Sequence, residues 1–224
     1  MNNNDFAWIA VPDVTPLFAL SPNTDANEFK RYVIEAQQID LFNLIDANLY
    51  DALNSAVLAN PAQWKPTKVY SSGDKVFYNN AYWIANTTTV TGETPDSSTD
   101  WDAYELMNFY YSYVKKWLAG AAMVRYTPYH GLHITQWGLE QYNQEGFGQV
   151  TDKRRAEILN AIKGKTSVYQ TKMFDALKAA NNTFDGVVYS DTKCKATRKR
   201  LPFAALGAGK FNNEQLTNER RQYL

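Results

Sequence analysis

The chain has 224 residues, a formal net charge of zero and a single cysteine. This length is enough for a real hydrophobic core, and one cysteine excludes both an internal disulfide and a cysteine-based zinc site. No run of about eighteen apolar residues occurs, so we expect no membrane-spanning helix, and the first residues lack the features of a signal peptide. These features predict a protein that is made and kept in a cytoplasm.

The neutral total conceals an uneven distribution of charge. Residues 1–110 contain five Lys/Arg and fourteen Asp/Glu, a charge of −9, whereas residues 111–224 contain eighteen and nine, a charge of +9. Opposite charges on the two halves favour ordered contact between neighbouring copies in an assembly. The alternative is that both charged surfaces are simply solvated.

Residues 1–25 are predicted to form an extended N-terminal arm. Pro12, Pro16 and Pro22 prevent a continuous helix. Apolar residues such as Trp8 and Phe18 are unsuited to a free tail, so we expect the arm to dock on its own domain or on a neighbouring subunit.

Residues 26–60 are predicted to form two helices around a tight joint. Asp46 stands where the N-cap of the second helix is expected, and Asn60-Pro61 ends that helix. The first helix is indicated by four apolar residues with helical spacing, namely Phe29, Tyr32, Val33 and Ala36.

The composition changes abruptly at residue 61. Residues 61–100 are rich in Thr, Ser, Asn and aromatic residues, and alternating runs at 75–78 and 82–85 flank Asn79-Asn80. Asparagine tolerates the positive φ of a tight turn, so this pattern predicts a β-hairpin. We therefore expect a small all-β module inserted between helices.

Two further helices are predicted beyond the insert. Asp100 is the expected N-cap of the third, which runs to about Arg125 and includes small residues at 119–122 where another backbone can approach closely. The fourth runs from Thr151 or Asp152 to about Ala180. In residues 127–150 the apolar residues have no regular spacing. This pattern predicts a long loop or β segment between these two helices that lies at an interface.

Residues 181–224 are predicted to form a basic C-terminal arm. Five cations follow a short predicted strand in this segment: Lys193, Lys195, Arg198, Lys199 and Arg200. Such an arm can contact DNA phosphates without reading sequence, or it can dock on the acidic half of a neighbouring copy. Simple solubility is the third explanation.

The sequence contains no pattern typical of a catalytic or cofactor site. There is no phosphate-binding glycine loop, no G-x-S-x-G and no H-E-x-x-H. His130 and His133 have no acidic partner nearby in sequence, and Cys194 has no evident base. We therefore expect no enzyme activity, no cofactor and no metal.

The two predicted N-terminal helices resemble the opening of a known structural family. Ala36-Gln37-Gln38, Ile39-Asp40-Leu41 and the run from Leu44 to Leu53 are similar to the head-to-tail connector proteins of tailed phages, in the form found in crAss-like and other phages of Bacteroidetes hosts. The resemblance spans roughly residues 26–58 and 101–180. It implies a ring of copies, twelve-fold in the family, beneath the portal.

The insert resembles a different family. Trp64, Tyr70-x-x-Gly73-Asp74-x-Val76-x-Tyr78, Trp83-x-Ala85 and Trp101 are similar to the small chitin-binding type of carbohydrate-binding module. Thr87 and Thr88 replace aromatic residues that often stack on sugar in that family. The remaining possible glycan or partner contacts are Tyr70, Tyr82 and Trp83.

These observations predict a mainly α fold, with a helical connector domain of four main helices (26–60 and 101–180), an inserted β module at 61–100, and extended arms at both ends. The resemblance implies a virion protein at the head–tail junction, present in the host cytoplasm during assembly. Its implied partners are the portal protein, neighbouring copies, tail or further neck proteins, and DNA in the lumen, with no membrane partner. The alternative is a glycan-binding protein that acts through the β module.

Overall fold

The computed structural model describes residues 6–21, 24–89, 91–129, 152–181 and 183–188, together with the backbone of two strands at 132–135 and 138–141. Within these residues the chain forms seven α-helices and two π-helical segments. The α-helices are α1 (Val11–Val14), α2 (Ala26–Glu35), α3 (Phe42–Leu44), α4 (Ala47–Ala59), α5 (Glu105–Phe109), α6 (Lys115–Tyr129) and α7 (Asp152–Ala179). The π-helical segments are π1 (Ala36–Leu41) and π2 (Tyr110–Val114).

The described strands form one four-stranded sheet and two two-stranded sheets. They are β1 (Ala62–Gln63), β2 (Lys75–Tyr78), β3 (Ala81–Ala85), β4 (Trp101–Ala103), β5 (Leu132–Thr135), β6 (Gly138–Gln141), β7 (Thr183–Phe184) and β8 (Val187–Val188). The four-stranded sheet is mixed, because β1 pairs with β2 in parallel while β2, β3 and β4 pair antiparallel in that order.

Local sequence signals account for the ends of several elements. The carboxylate of Asp46 accepts a hydrogen bond from the backbone nitrogen of Asn48, which confirms it as the N-cap of α4. Asn60 ends that helix in the left-handed conformation, a common C-terminal arrangement. Asn79 and Asn80 both have positive φ and connect β2 to β3, which confirms the predicted hairpin.

The helices pack around α6. Leu118 in α6 and Val114 in π2 are fully buried, and they share one hydrophobic cluster with Phe29 of α2, Leu53 of α4 and Met173 of α7. The small residues predicted at 119–122 are buried, and α7 crosses them at Gly120. Helix α6 is therefore the central element that α2 and α7 cover.

The N-terminal segment belongs to this helical core. The backbone nitrogen of Trp8 donates to Gln37 Oε1 at 3.1 Å, and its indole nitrogen donates to Asn54 Oδ1 at 3.0 Å. Trp8 is 5% exposed, and its ring stacks on Tyr50 with a centroid separation of 5.3 Å. The segment also contains the short helix α1, so it is more structured than the extended arm that the prolines predicted.

The predicted fold class, mainly α with four main helices and an inserted all-β module, is wrong. The described residues form a mixed α/β structure in which the sheet shares the helical core, since Tyr82 and Ile84 of β3 pack against the main cluster. Two π-helical segments interrupt the expected helices, and the expected joint at residues 39–41 lies within π1. Strands β5 to β8 add further sheet structure outside residues 61–100.

The start of the third helix was also predicted incorrectly. Trp101 to Ala103 form β4, because Trp101 pairs with Ala85 and its side chain completes a small core beneath the sheet. The helix begins at Glu105, and Asp100 does not cap it. The side chain that does so is Asp185, in the turn between β7 and β8.

None of the described helices combines the length and the apolar character that crossing a bilayer requires.

Candidate interaction surfaces

The sheet separates the three aromatic residues that were predicted to contact glycan. Successive side chains of a strand point to opposite faces of the sheet, so Tyr82 and Trp83 leave β3 in opposite directions. Trp83 packs against a small core that contains Tyr70 and Trp101, whereas Tyr82 packs against the large helical core. The structure therefore does not bring the three rings together on one stacking surface.

Tyr70 and Trp83 stabilise the sheet from within. Tyr70 is 3% exposed, and its ring centroid lies 5.2 Å from that of Trp101. Its hydroxyl oxygen accepts a hydrogen bond from the backbone nitrogen of Lys65 at 2.8 Å. Trp83 is partly buried and donates its indole N–H to the carbonyl oxygen of Tyr78 at 3.3 Å. Tyr70 in particular has no flat face in solvent on which a sugar could stack.

Tyr82 belongs to an aromatic cluster with Phe77 and Tyr111, where the sheet meets π2. The ring of Phe77 lies 4.8 Å from that of Tyr82 and 5.8 Å from that of Tyr111, and all three residues are partly exposed. Asn108 holds the strand in place by accepting from the backbone nitrogen of Tyr82 at 2.7 Å and donating to its carbonyl oxygen at 2.9 Å. Rigid, partly exposed aromatic groups of this kind are enriched at protein interfaces.

The aromatic cluster is bordered by an ion pair from the N-terminal segment. Lys115 Nζ lies 2.8 Å from a carboxylate oxygen of Asp13 and 5.0 Å from the centroid of Tyr111. Burial is the main reason that the pKa of Tyr82 is raised. This cluster was not predicted from the sequence, because Tyr111 lies on a helical segment and only the docking of that segment on β2 and β3 brings its ring to Phe77.

Arg125 of α6 fixes the orientation of π1. Its Nε and Nη2 donate to the two carboxylate oxygens of Asp40 at 2.7 and 2.8 Å, and its Nη1 lies 3.3 Å from Glu35. The hydrogen bond to Asp40 is the leading reason that the pKa of Arg125 is raised. Bidentate pairs of this type add geometric specificity as well as energy. Asp40 is thereby held against α6.

Two large apolar side chains near Asp40 are exposed, and we call Ile39 and Phe42 the apolar projection. Ile39 is 50% exposed and Phe42 is 40% exposed. The ring of Phe42 lies 5.2 Å from that of Tyr50. The pKa of Tyr50 is raised by burial and by the nearby carboxylate of Asp51. The projection is therefore an exposed apolar surface whose Phe42 ring packs on Tyr50.

An apolar groove of about 360 Å³ lies between the N-terminal segment, α6 and α7. Ile158, on the α7 side, is 39% exposed. Arg155 also lines the groove, where its Nη1 donates to the carbonyl oxygen of Pro128 at 3.3 Å. Among the described residues, no carboxylate forms an ion pair with Arg155. The apolar lining consists mainly of Phe18, Leu20, Met123, Tyr126, Ile158 and Ile162.

The predicted DNA or neighbour contacts Lys193, Lys195, Arg198, Lys199 and Arg200 lie outside the part of the chain that the structure describes. His130 and Cys194, which were not expected to bind metal or to act in catalysis, also lie outside it. The backbone of His133 lies in β5. Within the described ranges, no group of three or more His, Cys, Asp or Glu side chains is arranged to hold a metal ion.

Comparison with known proteins places the chain in a family. The model of a family of unknown function, DUF6712, matches residues 72–197, which is more than half of the chain. The chain belongs to this family. The DUF6712 match includes β2 to β4, α5 to α7 and the β7–β8 hairpin. Neither the curated proteins nor the solved structures gave a match.

Proposed function

We propose that this DUF6712 protein is a structural virion component, a subunit of the head-to-tail connector ring that binds the portal and joins it to the tail around the DNA channel. The proposal assigns it no catalytic role. Its place is the neck of the particle, and it passes through the host cytoplasm during assembly. The resemblance of residues 26–58 and 101–180 to phage connector proteins is the starting point.

The main structural support for the proposal is a pair of different apolar surfaces. A ring subunit needs two different surfaces that complement each other, because each copy contacts one neighbour through each surface. The described residues include two different apolar surfaces, namely the exposed projection of Ile39 and Phe42 and the groove that the N-terminal segment, α6 and α7 form. This pair of surfaces supports assembly into a ring more readily than a role as a monomeric binder.

The remaining partners follow from the same proposal. The basic residues at 193–200 are suited to phosphate contact in the lumen, where binding is independent of base sequence and falls as salt rises. The aromatic cluster of Phe77, Tyr82 and Tyr111 is suited to contact with the portal or with a further neck protein. The buried position of Tyr70 and the packing of Trp83 favour a structural use of the sheet over glycan binding.

Quantitative mass spectrometry of density-purified phage particles tests the proposed function. The source phage is grown, and the molar ratio of this chain to the portal protein is measured in intact particles. We expect a fixed ratio near one copy per portal subunit, because the connector ring in the resembling family matches the twelve-fold portal. If the chain is absent from purified particles, the connector function is excluded.

A further inference from the structure

Building on the proposed function, we propose that the N-terminal segment, residues 6–20, is exchanged between neighbouring copies when the protein assembles. The segment of one copy then occupies, in the next copy, the site that the chain's own segment occupies in this structure. The partner is therefore a second copy of this chain. We call the residues that hold the segment at Trp8 the receiving site, and they are Gln37, Tyr50, Asn54 and Tyr110.

The receiving site binds the backbone of the segment as a peptide-binding site does. The side-chain amide of Gln37 accepts from the backbone nitrogen of Trp8 at 3.1 Å and donates to the carbonyl oxygen of Phe6 at 3.2 Å. The hydroxyl of Tyr110 donates to the carbonyl oxygen of Trp8. Gln37 is 2% exposed, and a buried polar group without a partner is costly. The site therefore needs a segment in it, whichever copy supplies one.

The side chain of Trp8 anchors the segment in the site. Its indole nitrogen donates to Asn54 Oδ1 at 3.0 Å, and its ring centroid lies 5.3 Å from that of Tyr50 and 6.0 Å from that of Tyr110. Trp8 is 5% exposed, and a tryptophan that fills a buried pocket is a frequent anchor at protein interfaces. The contacts between segment and site thus show directly that the two surfaces are complementary.

The segment is also bound by cations of the basic half of the chain. Lys115 Nζ of α6 lies 2.8 Å from a carboxylate oxygen of Asp13. Lys165 of α7 donates to the carbonyl oxygen of Leu17, and its Nζ lies 4.9 Å from the ring centroid of Phe18. The segment itself contains no Lys or Arg. Opposite charges across a contact fix its register and disfavour wrong partners.

A short connection joins the segment to helix α2. One backbone hydrogen bond spans it, from the nitrogen of Thr24 to the carbonyl oxygen of Ser21 at 3.1 Å, and α2 begins at Ala26. The residue after Ser21 is a proline, which favours an extended conformation at Ser21. Opening this connection leaves every contact between segment and site available to a neighbouring copy. Such a swap exchanges identical contacts, and short hinge loops favour it.

Exchange allows one copy to use both surfaces at once. A copy that gives its segment to one neighbour leaves its own receiving site open for the segment of the other neighbour. The contact is heterologous, so repetition closes it into a ring or extends it into a filament. The chain's own segment has a high effective concentration at its site, so exchange is favoured where copies are crowded, as they are in an assembly.

Carbodiimide cross-linking of the unaltered full-length chain tests the exchange. This reagent takes up one water molecule while it joins a carboxylate and an amine through an amide bond, and Asp13 and Lys115 lie 2.8 Å apart. Equal amounts of unlabelled and isotope-labelled chain are unfolded together and refolded at high concentration. The oligomers are isolated by size-exclusion chromatography and cross-linked. Mass spectrometry then shows whether the two joined peptides carry the same label.

The label pattern distinguishes exchange from binding within one chain. We expect about half of the Asp13–Lys115 cross-links in the oligomer to join a labelled to an unlabelled peptide, because neighbours in an equal mixture are random. Asp175 and Lys178, 3.8 Å apart on α7, are the control and should be joined within one label only. An oligomer without mixed-label Asp13–Lys115 links overturns the proposal. So does a chain that forms no oligomer up to its solubility limit.

Two variants give a second, independent readout. Trp8→Ala disables the segment and Gln37→Leu disables the site, so each alone should form at least about tenfold less oligomer in sedimentation velocity experiments. Refolded together, they retain one intact contact and should form a 1:1 heterodimer. Val168→Ala, at a 53% exposed valine of α7, should assemble like the wild type. Folded variants, as judged by circular dichroism, that form no heterodimer overturn the proposal. If either variant does not fold, the cross-linking of the wild type decides.

Failure of the exchange and failure of the connector function are distinguishable. If the chain is found in particles but its oligomers contain no mixed-label links, the ring uses other surfaces. If mixed-label links form but the chain is absent from particles, the exchange is real and the assembly serves another purpose.

Discussion

Gly120 is a point of close approach between the two longest described helices, α6 and α7. A Cβ atom at this position would overlap Thr166 Oγ1 and would lie 3.1 Å from Phe18 Cζ. Thr166 donates its hydroxyl to the carbonyl oxygen of Ile162 at 2.8 Å, so turning it away breaks that hydrogen bond. We expect Gly120→Ala to lower the free energy of unfolding by about 1–3 kcal/mol, as measured by urea denaturation followed by circular dichroism.

Gly164 in α7 is the matched control. It is exposed, and nothing lies within 4 Å of a Cβ built there. Gly164→Ala should raise the free energy of unfolding by about 0.5–1 kcal/mol, because alanine restricts the unfolded chain and favours a helix. If Gly120→Ala raises the free energy of unfolding as Gly164→Ala is expected to do, the close approach at Gly120 does not limit the packing.

At the scale of elements, helix α5 takes its N-terminal cap from a residue 80 positions further along the chain. The carboxylate of Asp185 accepts hydrogen bonds from the backbone nitrogens of Glu105 at 3.3 Å and Leu106 at 2.7 Å. These nitrogens have no partner within the helix. Asp185→Ala should therefore lower the free energy of unfolding by about 1–2 kcal/mol in urea denaturation.

Two further substitutions serve as comparisons for Asp185→Ala, which also places an alanine at a positive φ. Asp185→Asn keeps an oxygen acceptor and tolerates the positive φ of 47° at this turn position, so it should be milder than alanine. Asp175→Ala removes an exposed carboxylate that lies 3.8 Å from Lys178, and it should change the free energy of unfolding by less than about 0.5 kcal/mol. An equal loss at positions 175 and 185 would refute the capping role.

At the scale of the whole molecule, buried tyrosines couple folding to alkaline pH. Tyr110 is 5% exposed, and burial raises its pKa well above the ordinary value of 10.0. The unfolded chain loses the Tyr110 proton near pH 10 whereas the folded chain keeps it, so stability is complete below that pH and falls as pH rises above it. We expect the free energy of unfolding to be steady to about pH 9 and to decline above about pH 10.

Removing the hydroxyl group of Tyr110 tests whether this residue causes the decline of stability at alkaline pH. Tyr110→Phe should flatten the alkaline decline, while lowering stability at neutral pH because the hydrogen bond from the hydroxyl to the Trp8 carbonyl oxygen is lost. Tyr129→Phe, at a 59% exposed tyrosine, is the control for loss of a surface hydroxyl group, and it should change the free energy of unfolding at neutral pH by less than about 0.5 kcal/mol. An unchanged slope in Tyr110→Phe would assign the decline to other groups, such as the buried Tyr126.

The sequence by itself determined the features that depend on a few neighbouring residues. The cap at Asp46, the helix end at Asn60, the turn at Asn79-Asn80 and the close packing at 119–122 were all predicted, and the structure contains them. Each depends on one backbone conformation or on the lack of a bulky side chain. Such local preferences act whatever the rest of the chain does.

The tertiary structure decided the features that join distant residues. The Trp101 strand forms because β3 offers it a partner. The carbonyl oxygen of Trp8 accepts a hydrogen bond from the hydroxyl of Tyr110, which is 102 residues away. Helix α5 is capped by Asp185, which is 79 residues from Leu106. The apolar projection likewise depends on the hydrogen bonds between Arg125 and Asp40, and the apolar groove depends on the packing of α7 on α6. Local sequence patterns carry no information about such pairings, because the pairings depend on which surfaces the folded elements bring together.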